Sequence, residues 1–168
     1  MNDVVLVVDD SPEIRELFSF AFSMYKINSL LAENGAHGLQ VYKANKDKIK
    51  IVISDIKMPE MDGIQFCKEL KKMSDSVYVI LMTGYAGSYV WDEIVLSGAS
   101  NFFKKPFNVL EIIAAIKNIS KELLYIQEME SKAMNYPDSS EEKDQYTKEI
   151  QTIKSSIYNQ IASKKESL

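Results

Sequence analysis

An α/β fold, a parallel sheet with helices on both faces, is predicted by three observations. Short apolar runs alternate with stretches of helical spacing along most of the chain. Capping and turn residues stand at the joins. Two of the apolar runs, Val4 to Val8 and Ile51 to Ser54, lead directly into acid, Asp9-Asp10 and Asp55. A run of that length reads as a buried strand. A carboxylate at the C-terminal end of such a strand lies where open α/β sheets bind ligands. Two strands that deliver acid to one rim point to a divalent cation and a phosphoryl group.

The elements follow in order. Val4 to Val8 is the first strand. Ser11-Pro12-Glu13 supplies an N-cap, a proline at the first helical position and an early acid. Ile14, Leu17, Phe18, Ala21 and Phe22 continue at helical spacing. Ile27 to Ala32 is the second strand, punctuated by Asn34-Gly35. Ala36 to Lys46 reads as a helix that turns Leu39, Val41 and Tyr42 to the core. Ile51 to Ser54 is the third strand. Asp62 caps a helix through Met73, with Ile64, Phe66, Cys67 and Leu70 partly buried. Val77 to Met82 is the fourth strand, ending at Thr83-Gly84. A weaker helix covers about Ser88 to Leu96. Asn101 to Phe103 is a short fifth strand before Lys104-Lys105-Pro106-Phe107. Asn108 and Glu111 have capping-box spacing and open a long last helix. Strands alternating with helices mean a parallel sheet with right-handed crossovers.

Past about Ser120 the pattern changes, which divides the chain into a domain at 1-122 and a helical extension at 123-168. Ile112, Ile116, Ile119, Leu123 and Ile126 carry one apolar stripe onward. Asn135-Tyr136-Pro137-Asp138-Ser139 breaks it. Tyr146, Ile150, Ile153, Ile157 and Ile161 then form a narrow seam near heptad spacing. Such a seam needs a cover. Two are expected: the preceding helix, in a hairpin, or a second copy of the chain.

Composition excludes several classes. The formal net charge is −4 and Arg15 is the only arginine. A nucleic-acid surface is usually basic and rich in arginine, so no nucleic-acid partner is expected. Cys67 is the only cysteine, which excludes an internal disulfide and a cysteine metal cluster. No stretch approaches the ~20 apolar residues that cross a bilayer, so no membrane partner is expected, and the location expected is cytoplasmic. His37 is the only histidine; it lies away from the acidic rim and is read as a surface or core residue.

Asp9-Asp10, Asp55, the Met58-Pro59 and Asp62-Gly63 pair, Thr83-Gly84, and Lys105-Pro106-Phe107 stand in order, each after a predicted strand. In these features, over about Asp3 to Ile119, the chain resembles the receiver domain of bacterial two-component response regulators. The resemblance implies a flavodoxin-like sheet of order 2-1-3-4-5, with Asp55 phosphorylated by a partner histidine kinase or phosphotransfer protein. It implies Mg²⁺, with Asp10, Asp55 and the backbone carbonyl of Lys57 as direct ligands and Asp9 holding metal-bound water. Thr83 matches the hydroxyl that contacts the phosphoryl group, and Lys105 the cation that pairs with it. The bond before Pro106 is usually cis in this family. Lys104 is read as a surface charge, because only Lys105 directly precedes the proline.

The resemblance also assigns switching to Thr83 and Phe102, and rate tuning to Lys57 and Tyr85. A bulky Tyr85 is expected to shield the phosphoryl group and lengthen its life. The response would reach the face formed by the fourth helix, fifth strand and fifth helix, where a downstream protein target or a second copy would bind. A homodimer through the C-terminal helices is the other possibility. The chain would be no enzyme beyond its own phosphorylation and dephosphorylation.

Two alternatives stand beside this reading. An aspartate-nucleophile phosphatase or hydrolase usually places a second Asp two residues after the first, and Lys57 occupies that place. A non-phosphorylated receiver-like scaffold would have no need of the full set of Asp10, Asp55, Thr83 and Lys105.

Overall fold

The computed structural model describes residues 4–84 and 88–158. Its elements are β1 (Val4–Val8), α1 (Pro12–Met24), β2 (Asn28–Ala32), α2 (Gly35–Ala44), β3 (Ile49–Asp55), α3 (Gly63–Met73), β4 (Tyr78–Thr83), α4 (Ser88–Leu96), β5 (Asn101–Lys104), α5 (Val109–Ala133) and α6 (Glu141–Tyr158). The strands form one parallel sheet in the order β2-β1-β3-β4-β5, as expected.

Side chains alternate across a strand, so a sheet covered on both faces must be apolar at every position. Val5 and Val7 of β1 face one core with Ile51, Ile53, Tyr78 and Ile80, packed against Phe18 and Phe22 of α1 and Ile112 and Ile116 of α5. Leu6 and Val8 face the other with Val52, Val79 and Leu81, under Phe66 and Leu70 of α3 and Trp91 and Ile94 of α4. Each fully buried aliphatic or aromatic side chain contributes about 1.5–3 kcal/mol.

The boundaries differ from expectation where a polar residue interrupts a pattern. β3 begins at Ile49, two residues early, and its pairing with β1 shifts between Val4 and Val5. Lys50 hides this start by breaking the apolar run. Leu17 lies on the exposed side of α1, whereas Leu39 and Val41 are half-buried and pack, as expected, against the core that holds the buried Tyr42. Asn108 does not form the expected box with Glu111. Its Oδ1 takes the Leu110 N–H at 2.9 Å, and the Glu111 N–H goes to the Asn108 carbonyl instead.

The extension is a hairpin. α5 runs unbroken past residue 122, and α6 folds back along it. Ile126, Met129, Ile150 and Ile157 are buried together, with Leu123, Tyr146 and Ile153 partly buried beside them. The seam of α6 is therefore covered by its own chain; Ile161 lies outside the described residues. Glu130 and Lys154 pair across the hairpin at 2.8 Å and are both partly exposed. An exposed pair contributes only about 0–1 kcal/mol, less than one buried isoleucine, so apolar packing holds the hairpin. No helix among the described residues is long and apolar enough to cross a membrane.

Gly63 sets how closely α3 approaches β3. Its N–H donates to the Ile56 carbonyl at 2.9 Å. A Cβ there would lie 2.0 Å from the Asp55 carbonyl oxygen, a backbone atom that cannot turn aside. Gly63→Ala should therefore destabilise the fold by about 1–3 kcal/mol or more, the usual range for overpacking. Urea denaturation checks this, and an unchanged midpoint would contradict the close approach.

Candidate functional site

The loops after β1, β3, β4 and β5 meet at one rim of the sheet. Asp55 ends β3, and the next N–H, of Ile56, donates to the Met82 carbonyl at 2.9 Å. This bond ties the Asp55 backbone to β4. Thr83 ends β4, and its carbonyl accepts the Lys105 N–H at 2.6 Å. Lys105 is thereby pinned over the site, and the Lys105-Pro106 bond is cis, as the resemblance implies. The Lys105 ammonium reaches two carboxylates, at 2.8 Å from Asp55 Oδ1 and 3.1 Å from Asp9 Oδ2. Asp9 is fully buried, and its other oxygen accepts the Ser11 N–H at 3.0 Å. Asp55, Lys57, Thr83, Gly84 and Lys105 line a cavity of about 370 Å³ that opens to solvent.

Burial pushes the Asp55 carboxyl above the usual carboxylate range, and the neighbouring charge of Asp9 pushes the same way. The hydrogen bond and charge of Lys105 oppose this without cancelling it. For Lys105, burial alone would favour loss of the proton. Its hydrogen bonds and charge contacts with Asp55 and Asp9 outweigh that and hold it above the ordinary lysine value. One cation thus serves two acids. When Asp55 is ionised, its charge is undercompensated.

The structure brings together most of the residues the sequence proposes. Asp55, Thr83, Lys105 and Lys57 share the cavity, and Asp9 joins through Lys105. Asp10, next to Asp9 after β1, is exposed and has no ion pair among the described residues. Phe102 is buried and meets Trp91 edge-on, ring centroids 5.1 Å apart. Lys104 is exposed. His37 is half-buried and donates its backbone N–H to the Asn34 side chain, a capping role. Tyr85 lies outside the described residues. Arg15 was not singled out from sequence, yet its Nη1 donates to the carbonyls of Asp9 and Asp10 at 2.6 and 3.1 Å. Its place in the first turn of the helix that follows two acids was the available signal.

The donors at this rim are hard oxygens with excess negative charge, the chemistry Mg²⁺ prefers. Three carboxylates close enough to coordinate one ion by themselves do not occur among the described residues. Lys105 bridges Asp9 and Asp55 here, Lys57 lines the same cavity, and Asp10 follows Asp9 directly in the chain. The residue types fit the ion.

The family model of the response regulator receiver domain matches residues 5–117. The chain belongs to the response regulator receiver family. Receiver domains signal through phosphorylation, and in the family they bind Mg²⁺ at the phosphorylation site and interact with histidine kinases or phosphotransfer proteins. They are signalling domains rather than conventional enzymes. Sporulation initiation phosphotransferase F of Bacillus subtilis is 35% identical to this receiver over 117 residues, covering 70% of this chain and 93% of that one. Regulatory protein AtoC of Escherichia coli is 35% identical over 108 residues, which span 64% of this chain but 23% of AtoC. Among solved structures, chemotaxis protein CheY4 of Vibrio cholerae superposes with a TM-score of 0.64 at 26% identity, over 70% of this chain and 98% of that one. A CheY from Borrelia burgdorferi, solved with CheX, BeF3 and magnesium, gives 0.65 at 25% identity, over 70% and 88%. The family match ends before α6.

A carboxyl held above its ordinary range favours folding while it carries its proton. That contribution is present below the unfolded-state value and is lost as the pH rises through the folded-state value. Asp55→Asn, permanently neutral, should therefore melt at a higher temperature than wild type at neutral pH. The gain should shrink on acidification into the carboxylate range. Thermal melts across pH check this, and a less stable Asp55→Asn at neutral pH would contradict the electrostatic reading.

Proposed function

We propose that this receiver is phosphorylated on Asp55 by a histidine kinase or a phosphotransfer protein, and that the phosphorylated form binds a downstream protein. The 2.8 Å contact between Lys105 and Asp55, at a cavity also lined by Thr83, is the observation that carries this reading. A carboxylate oxygen of Asp55 attacks phosphorus. A new O–P bond forms as the P–N bond to the donor imidazole breaks, and the imidazole leaves with the electron pair. Aspartyl phosphates form in this way. Lys105 is already paired with the attacking group, so it moves only to the incoming phosphoryl oxygens, whose charge it offsets. The Thr83 hydroxyl donates to the same group. Asp9, Asp10, Asp55 and the Lys57 carbonyl would hold Mg²⁺, which supplies further neutralisation of phosphoryl charge. The chain catalyses only its own phosphorylation and dephosphorylation, in the cytoplasm.

Residues 1-122 act as the receiver and 123-168 as a helical extension. Thr83 and Phe102 couple the site to the face of α4, β5 and α5. Val95, Leu96 and Leu110 are exposed on these helices, while α6 already has its seam covered. A target or a second copy would therefore use the α4-β5-α5 face rather than the α6 seam. Such a switch works because phosphate contacts Thr83 and Lys105 in only one of two packings.

Intact mass after treatment with acetyl phosphate tests the assignment. Wild type should gain one phosphoryl group in Mg²⁺ and lose that gain in excess chelator. Asp55→Asn should gain none. A labelled Asp55→Asn would overturn the acceptor assignment, and steady turnover of a generic phosphomonoester would favour a hydrolase instead.

A further inference from the structure

Arg15 is the only arginine in the chain, and the mechanism above leaves it unused. It stands in the first turn of α1 and reaches back over the acidic loop. Its Nη1 donates to the Asp9 carbonyl at 2.6 Å and to the Asp10 carbonyl at 3.1 Å. These carbonyls belong to the two peptide units that flank Asp10. Each unit is planar, so holding both carbonyls restrains the backbone dihedrals of Asp10 and the direction in which its Cα–Cβ bond leaves the chain. Hydrogen bonds from a charged donor are short and strong enough to do this.

The two acids differ in what else holds them. The Asp9 carboxylate is fastened at both oxygens, by the Ser11 N–H and by Lys105. The Asp10 carboxylate is exposed and has no ion pair among the described residues. The place from which Asp10 can reach a cation is therefore set by its backbone, and Arg15 bonds the peptide units on both sides of it. We propose that Arg15 is a positioning residue that orients Asp10 toward Mg²⁺ by clamping the peptide units on either side of it. This rests on the reading of the site given above.

The sign of the effect separates this role from simple charge. A guanidinium beside a cation site repels the cation, so its removal would tighten Mg²⁺ binding if charge alone mattered. Loss of a clamp weakens it, because residues that orient metal ligands are commonly worth about 10–100-fold in affinity.

The test is calorimetric titration of Mg²⁺ into the full chain, alongside phosphoryl uptake from acetyl phosphate at saturating Mg²⁺. Arg15→Met keeps the aliphatic stem and removes every donor. Its dissociation constant for Mg²⁺ should rise about tenfold, with uptake at saturating Mg²⁺ within about twofold of wild type. A folded Arg15→Met that binds Mg²⁺ as tightly as wild type, or more tightly, overturns the proposal. The unmodified chain supplies a second arm. Its Arg15 guanidinium NMR signals should stay protected and shift on Mg²⁺ addition with the same midpoint as the Asp10 amide. Freely averaging signals that ignore Mg²⁺ overturn the proposal as well. A wild type that binds no Mg²⁺ sinks the reading of the site itself. A wild type that binds, beside an indifferent Arg15→Met, sinks only the role of Arg15.

Discussion

One ammonium between two buried carboxylates is the interaction on which the rest of this receiver turns. Asp9 comes from the end of β1, Asp55 from the end of β3, and Lys105 from beyond β5. Leaving one member of such a group unpaired in the interior costs several kcal/mol. The three loops are therefore tied to one another at this rim. The sheet order makes this possible, since β1 and β3 are neighbours and Lys105 reaches back across β4. The bond from the Lys105 N–H to the Thr83 carbonyl holds the lysine at the right height. The residue proposed to sense phosphate and the residue proposed to neutralise it are thus fastened to each other through the backbone.

The same arrangement explains how stability and reactivity oppose each other at this rim. Burial disfavours charge on Asp55, yet the nucleophile it is proposed to be must be ionised. Lys105 resolves part of the conflict, and Mg²⁺ would resolve the remainder. A site left undercompensated by its own side chains has a standing affinity for cations. Strain of this electrostatic kind is common at functional positions.

Much of this was legible in the sequence, because the strongest constraints are local. Apolar runs that end in Asp9-Asp10, Asp55 and Thr83 marked the strands and the rim where these residues meet. Lys105 was separable from Lys104 through its proline, and Lys104 is indeed exposed. What was not legible depended on long-range contacts. Two adjacent acids look alike in sequence. That Asp9 turns inward to Lys105 while Asp10 faces outward is set by the bonds of Lys105, Ser11 and Arg15. The start of β3 was hidden by Lys50, whose side chain interrupts a run that the backbone continues. The seam on α6 fitted a partner in cis or in trans equally well. Only the path of residues 134–140 placed Ile150 and Ile157 against α5. Phe102 was expected at a switch position, and its edge contact with Trp91 places α4 directly behind it.

Lys105 offsets the cost of charge on a buried Asp55. A pH titration of the Asp55 carboxyl carbon by NMR tests it most directly, in wild type and in Lys105→Met. The wild-type midpoint should lie above the ordinary carboxylate range and move further upward when the ammonium is removed. An ordinary midpoint that Lys105→Met leaves in place would contradict it.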